Sequence, residues 1–592
     1  MNSNKVKEKS FKILFAFTAA LCIVAVIAIF AFLIIKSVPT FRRIGFFKFI
    51  FGKEWKPNVD DGFTGEIKGK YGVFKMIIGT IVATLGSVIV GGVLGFFTAV
   101  FISKFCPKKL KGAFVTVINL LAGIPSVIFG FFGMVVLLPK LGVFSETGSG
   151  SGLLAVSLVL GLMILPTVVS LSKTSIDAVP DSYYEGARAL GATHEQAVFR
   201  AVVPAAKSGI VASIILGIGR AVGETMAVIM VAGNVVEYPK GLFQSFRVLT
   251  ANIVMEMGYA GDLQLGALIS TGVVLLLFIL IINLLTGLAT SGGKKDKTHK
   301  KRSIEPLAKF FHAIKIEKIG KIVAYVSAVI ASIGLISIIL FVCVNGIPHL
   351  TTQLLFGKYS VRNISIFPAI VTTLMTVGIS LVIAVPIGVF TAIFLNEYSK
   401  KGSKVVRIIR SAIDILAGVP SIVYALFGMV TFVAWFNGRQ SILAGSLTIA
   451  IMLLPTVVRS TEESLKSVSD TLREGSLALG AGKVRTIFKV VLPSALPGIA
   501  SAIILAMGRV VSESAPFVYT MGNCLTTMPK GVMSDGTTLA VALYTLAGEG
   551  QYLNEAYATA FVLLVIVLAL NLLANLITKK LDKKLKGSKN GK

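Results

Sequence analysis

"EGARALGATHEQAVFRAVVP", Glu185 to Pro204, is a polar island between apolar stretches, and the chain carries it twice. The second copy, "EGSLALGAGKVRTIFKVVLP", runs from Glu474 to Pro493, 289 positions later. Each copy sets Glu and Gly six residues apart, Glu185 with Gly191 and Glu474 with Gly480. Each closes on an apolar residue and proline, Val203-Pro204 and Leu492-Pro493. This pattern predicts a helix, a tight turn and a second helix. Asp181 and Asp470 are the expected N-caps. Gly191 and Gly480 are expected in the left-handed conformation that ends a helix. Such a hairpin is either an ordinary surface feature or a docking knob.

The duplication reaches well beyond the loop. Met163 to Asn234 aligns without a gap to Met452 to Asn523, and about 30 of the 72 pairs are identical. "MILPTVV" at Met163 answers "MLLPTVV" at Met452, "LAGIPSVIFG" at Leu121 answers "LAGVPSIVYA" at Leu416, and "GFFTAVF" at Gly95 answers "GVFTAIF" at Gly388. "FGK" follows the first apolar run of each half, at Phe51 and Phe356. Shared apolarity does not produce gapless alignment through polar loops; a duplicated unit does.

The unit is a membrane unit. Of 592 residues, 55% are hydrophobic and 15% charged, with a mean hydropathy of +0.84. Several uncharged runs are long enough to cross hydrocarbon at 1.5 Å per residue. The first, Ile13 to Ile35, exceeds a signal-peptide core and has no small-residue cleavage site after it, so it reads as a retained span. Six spans are expected in each half: near 13–36, 72–103, 113–138, 153–171, 209–232 and 264–289, then 322–345, 366–396, 409–436, 441–459, 499–522 and 555–577. A basic linker joins them, with an amphipathic surface helix expected around "LAKFFHAIKIEKI", Leu307 to Ile319. Six is even, so the repeat is parallel, with its axis along the membrane normal. The basic N-terminus, linker and tail then share one side, the cytoplasm by charge bias. The loop Pro39–Tyr71 runs against that bias, with seven Lys/Arg against four acids.

The net charge of +30 gathers at span ends and short loops. It is assigned to the positive-inside rule and to anionic lipid, not to nucleic acid. Cys22, Cys106, Cys343 and Cys524 show no metal or redox spacing. None of the seven Gly-Lys pairs is followed by Ser or Thr, so there is no P-loop.

Charges inside the apolar runs are the candidate site. In "GRAVGETMAV", Gly219 to Val228, Arg220 and Glu224 stand four apart, as do Arg509 and Glu513 in "MGRVVSESAPF". That spacing predicts one helix face for each pair. Arg459 ends the fourth span of the second half, where the first half has Ser170. Intramembrane charges normally face a bundle interior or a wet cavity. Two readings are open. The pairs line a central anion path, where the guanidinium fork suits phosphate oxygens and the carboxylates keep binding weak enough for release. Or they are buried ion pairs that hold the bundle together. "LAGIPS" and "LAGVPS" each predict a kink, used either for packing or for gating.

The doubled loop resembles the EAA loop of ABC importer permeases: Glu-Ala-Ala, three residues, Gly, nine residues, then Ile-x-Leu-Pro. Here Gly186 and Gly475 replace the first Ala. "GRAVGETMAV" and "FGKEWKPN" resemble the C-type permease subunit of the phosphate-specific transporter; "PTVVRSTEESL" and "MGRVVSESAPF" resemble its A-type subunit, here fused in that order. The resemblance covers essentially the whole chain. It implies an all-α polytopic protein of the type I ABC importer permease (MetI-like) fold: two homologous six-helix halves, 1–290 and 322–592, joined by the linker 291–321. It further implies a non-enzymatic transport subunit for ATP-driven import of inorganic phosphate in a bacterial plasma membrane, with both termini cytoplasmic. The chain binds no cofactor in this reading; ATP and Mg sit on two copies of a cytoplasmic ATPase. These dock on the loops carrying Glu185, Gly186, Gly191, Glu474, Gly475 and Gly480. An extracytoplasmic phosphate-binding protein delivers the cargo, and membrane lipid and a phosphate-signalling regulator are further expected partners. The alternatives are a molybdate or sulfate permease, a phosphate-sensing membrane scaffold, and a secondary transporter with no ATPase.

Overall fold

Long apolar runs with small residues at intervals can satisfy their backbone in a membrane only as packed helices, and helices are what form. The computed structural model describes residues 2–57, 69–146, 148–291, 316–360, 363–399, 403–525 and 528–587. Among them, nine helices are long and apolar enough to cross a membrane, or up to eleven if two bent pairs each count as one span. Among the described residues, the only ladder is the two-residue pairing of Trp55–Lys56 with Lys70–Tyr71. Most of the linker lies outside the described residues. Of the amphipathic stretch expected at Leu307–Ile319, only the last four residues are described, and they open the long helix Ile316–Gly346.

The expected third and fifth spans are broken. In the first half the third span is two pieces, Lys108–Ala122 and Ser126–Gly142; in the second, Lys404–Gly418 and Ser421–Val433 meet at 97°. Pro125 and Pro420 sit at the breaks as N-caps with extended ψ. A proline forces its predecessor out of the helical region but is tolerated at a helix start, so the expected kink becomes a corner. The fifth spans stop at Gly223 and Ser512 and restart at Met226 and Ala515.

The chain folds into two compact units. One comprises Met1–Arg43, Glu256–Val273 and Asn345–Lys592; the other comprises Ile44–Met255 and Val274–Val344. The first helix of each half therefore belongs to the unit built mainly from the other half. Within its unit, the first helix (Asn2–Ile44) sets Phe15 against Phe390 at 5.3 Å between ring centroids and Phe32 against Phe427 at 5.6 Å. In the other unit, Ile316–Gly346 sets Tyr325 against Phe101 at 4.8 Å and Phe341 against Phe132 at 5.5 Å. The two helices bury matching positions 309 apart, Ala19 with Ala328, Ile29 with Ile338 and Leu33 with Val342.

Glycine sets the closeness of spans two, four and five in both units. A Cβ on Gly95 would lie 2.9 Å from Val168, and one on Gly388 would lie 2.6 Å from Val457. A Cβ on Gly209 or Gly498 would lie 2.2 Å from the hydroxyl of Ser175 or Ser464. Small residues let helices in lipid gain packing that the hydrophobic effect no longer supplies.

Candidate functional site

The intramembrane arginines are held from the fourth span. Arg220 Nη1 donates to Thr167 Oγ1 at 2.9 Å, and Arg509 Nη1 donates to Thr456 Oγ1 at 3.2 Å. Both threonines belong to the repeated "LPT" of the fourth span. Sequence reasoning passed over them, although a polar residue at one position of both apolar copies was the available signal. All four side chains are half-buried.

The glutamates are placed differently from the expectation. Arg220 and Glu224 do not share an uninterrupted helix face, because the helix Lys207–Gly223 ends and Glu224 is extended, with φ −73° and ψ 135°. Glu513 does the same after Ser512, with φ −78° and ψ 142°. Each carboxylate thus stands at a break between two helical pieces.

The halves then diverge. Glu224 Oε1 accepts from the amide of Ala227 at 3.3 Å, capping the restarted helix, while its carbonyl accepts from Thr250 Oγ1. The position matching Ala227 is Pro516, which has no amide hydrogen to give. Glu513 Oε1 lies instead 3.6 Å from Arg509 Nε, with the two side chains 19% and 33% exposed. The expected Arg–Glu pairing is therefore seen at Arg509 and Glu513, and a cap is seen at Glu224.

Arg459 lies three residues beyond Thr456 on the helix Ile442–Lys466 and is exposed. Its guanidinium is paired with Asp414 of the Lys404–Gly418 piece. By the alignment of the "LAG-PS" segments, Asp414 corresponds to Asn119, so both members of that ion pair are particular to the second half.

The doubled loops form the expected helical hairpins. Asp181–Ala189 and Asp470–Ala478 are their first helices, and Gly191 and Gly480 follow at φ +86° and +79°. The N-caps are one residue earlier than expected, at Pro180 and Ser469. Ser469 accepts from the amide of Thr471 at 3.3 Å and so takes the cap. Asp181 and Asp470 fall in the first turn, where a carboxylate still favours the helix dipole. Glu185, Gly186, Glu474 and Gly475 are exposed, and a Cβ on either glycine would meet nothing within 4 Å. Leu190 and Leu479, at equivalent hairpin tips, are each 91% exposed.

Different chemistry roots each hairpin. In the first, Tyr184 Oη meets His194 Nδ1 at 2.8 Å, and His194 Nε2 meets the Lys104 carbonyl at 3.1 Å. Glu195 pairs with Lys321 at 2.9 Å, and Arg200 pairs with Glu317. In the second, Arg473 replaces Tyr184 and pairs with Glu397 at 3.1 Å, while Phe488 packs on Phe11 at 5.3 Å.

Helical bundles built on a parallel sequence repeat, with hairpins at matching positions and charges at helix breaks, define a polytopic transport permease. The chain belongs to the family described as binding-protein-dependent transport system inner membrane component, whose profile matches residues 91–291 and 384–587. Among curated relatives, the phosphate transport system permease protein PstA homolog of Mycoplasma pneumoniae is 28% identical over 85% of this chain and 84% of its own length. The probable ABC transporter permease protein YqgH of Bacillus subtilis is 38% identical over 45% of this chain and 87% of its own. The phosphate transport system permease protein PstC of Pasteurella multocida is 31% identical over 43% of this chain and 85% of its own.

Proposed function

We propose that this chain is the membrane-spanning subunit of an ATP-driven inorganic phosphate importer, with C-type and A-type permease halves fused as 1–290 and 322–592. The observation that carries the reading is the arginine held by threonine beside a glutamate at a helix break, repeated in both halves. Arg220, Arg509 and Arg459 supply positive charge for a multiply charged oxyanion. Glu224 and Glu513 limit how tightly it is held and accept a hydrogen bond from protonated phosphate, which sulfate cannot offer near neutral pH. The path binds weakly enough to release its cargo.

The chain itself does no hydrolysis in this reading. Two copies of a cytoplasmic ATPase, holding ATP and Mg, seat on the hairpins around Glu185, Gly186 and Gly191 and around Glu474, Gly475 and Gly480. The bare Leu190 and Leu479 support that use. An extracytoplasmic binding protein presents phosphate on the opposite side, both termini lie in the cytoplasm of a bacterial cell, and a phosphate-signalling regulator reads the assembled complex.

Reconstitution with a candidate ATPase and binding protein tests this. ATP-dependent uptake of labelled phosphate that excess sulfate does not suppress is expected. Uptake that sulfate or molybdate suppresses equally shifts the assignment to a general oxyanion permease. Uptake without any ATPase removes the ABC reading.

A further inference from the structure

At the far end of the first helix, a cleft of about 330 Å³ opens within one compact unit. Lys36, Thr40 and Arg43 line it from the first helix, Asp262 and Gly266 from the helix Asp262–Ser291, and Val430 from the broken third span. Lys36, Thr40 and Arg43 follow helical spacing, so they form one face. A Cβ on Gly266 would lie 2.2 Å from Thr40 Oγ1, so the two helices touch at that level. The volume is at the lower end of ordinary ligand sites.

Depth places the cleft at a membrane boundary. Phe11, near the start of the same helix, packs on Phe488 of the second hairpin. Lys36 to Arg43 lie 25 to 32 residues further on, about 38–48 Å along a helix. A bilayer with its headgroups measures roughly 40–45 Å. The cleft therefore opens at headgroup level on the face opposite that hairpin, just past the apolar run Ile13–Ile35. Ile34 and Ile35, immediately below it, are 54% and 66% exposed.

The charges are arranged for a ligand with two polar ends. Lys36, Arg43 and Asp262 form no ion pair among the described residues. Interface anchoring alone does not account for the cations: the positions 309 later are Asn345, on the other first helix, and Thr352, beyond its end. A free phosphate dianion would face Asp262 as well as the two cations.

We propose that this cleft binds the headgroup of a phospholipid. Its phosphate sits against Lys36 and Arg43, its ammonium or hydroxyl donates to Asp262, and an acyl chain lies along Ile34 and Ile35. Native mass spectrometry of the full chain tests this, in mixed micelles of phosphatidylethanolamine, phosphatidylglycerol and phosphatidylcholine, with inorganic phosphate as competitor. The expected result is retention of phosphatidylethanolamine and phosphatidylglycerol over phosphatidylcholine, whose head has no donor, by roughly tenfold. Lys36→Gln with Arg43→Gln should abolish that retention, and Asp262→Leu should bring the three lipids to parity, each with an unchanged thermal midpoint. Equal retention of the three lipids by the unaltered chain overturns the proposal, as does retention that survives the double substitution. Displacement by millimolar inorganic phosphate would instead make this a free-anion site.

Discussion

Thr456→Val removes the hydroxyl that accepts from Arg509 at 3.2 Å and keeps the branched shape. A hydrogen bond from a charged donor contributes about 1.5–3 kcal/mol. Arg509 is 33% exposed, so water replaces part of what is lost, leaving about 1–1.5 kcal/mol. At about 1.4 kcal/mol per tenfold, the guanidinium occupies its held position roughly 5- to 12-fold less often. Phosphate uptake driven by ATP in proteoliposomes should fall by that factor, with the thermal midpoint barely moved. Thr456→Ser keeps the oxygen and should restore most of the rate; Thr167→Val should act in the same way through Arg220. If Thr456→Val transports like the unaltered chain, or if Thr456→Ser is as impaired as Thr456→Val, the hydroxyl does not position the arginine for transport.

Three further outcomes are expected. Glu224→Gln and Glu513→Gln should lower the preference for phosphate over sulfate in competition uptake, and unchanged discrimination would remove the glutamates from proton recognition. Leu190→Asp and Leu479→Asp should each weaken co-purification of the ATPase without shifting the thermal midpoint, since both side chains are 91% exposed and bury nothing within the chain; undiminished recovery of the ATPase would place docking elsewhere. The exposed Arg459–Asp414 pair contributes at most about 1 kcal/mol to stability, so Arg459→Gln and Asp414→Asn should both fold. Arg459→Gln alone should slow uptake, and equal effects from the two would make the pair structural.

The repeat and the hairpins were legible because their signals are local. A glycine at a left-handed turn and a proline at a fixed interval constrain the backbone wherever the rest of the chain goes. The helix breaks were not, because hydropathy averages over a run and does not register where its amides point. Gly209–Ala232 reads as one apolar segment, yet its amide ladder stops at Glu224. Pro516 carried a warning, since a proline at a helix start leaves no amide for the preceding turn, but its partner Ala227 carried none. The exchange of first helices between units was beyond reach for another reason. Ile13–Ile35 is apolar on every side, and such a helix states that it is buried or lipid-facing without naming its neighbour.

The difference between Ala227 and Pro516 bears on why the two halves are unlike. In the first half the carboxylate caps the restarted helix by accepting from a backbone amide. In the second half no such amide exists, and Glu513 approaches Arg509. The fused halves thus present one arginine beside a capped carboxylate and one beside a paired carboxylate, with Arg459 and Asp414 added on the second side only. A symmetric pair of identical halves could not hold this arrangement.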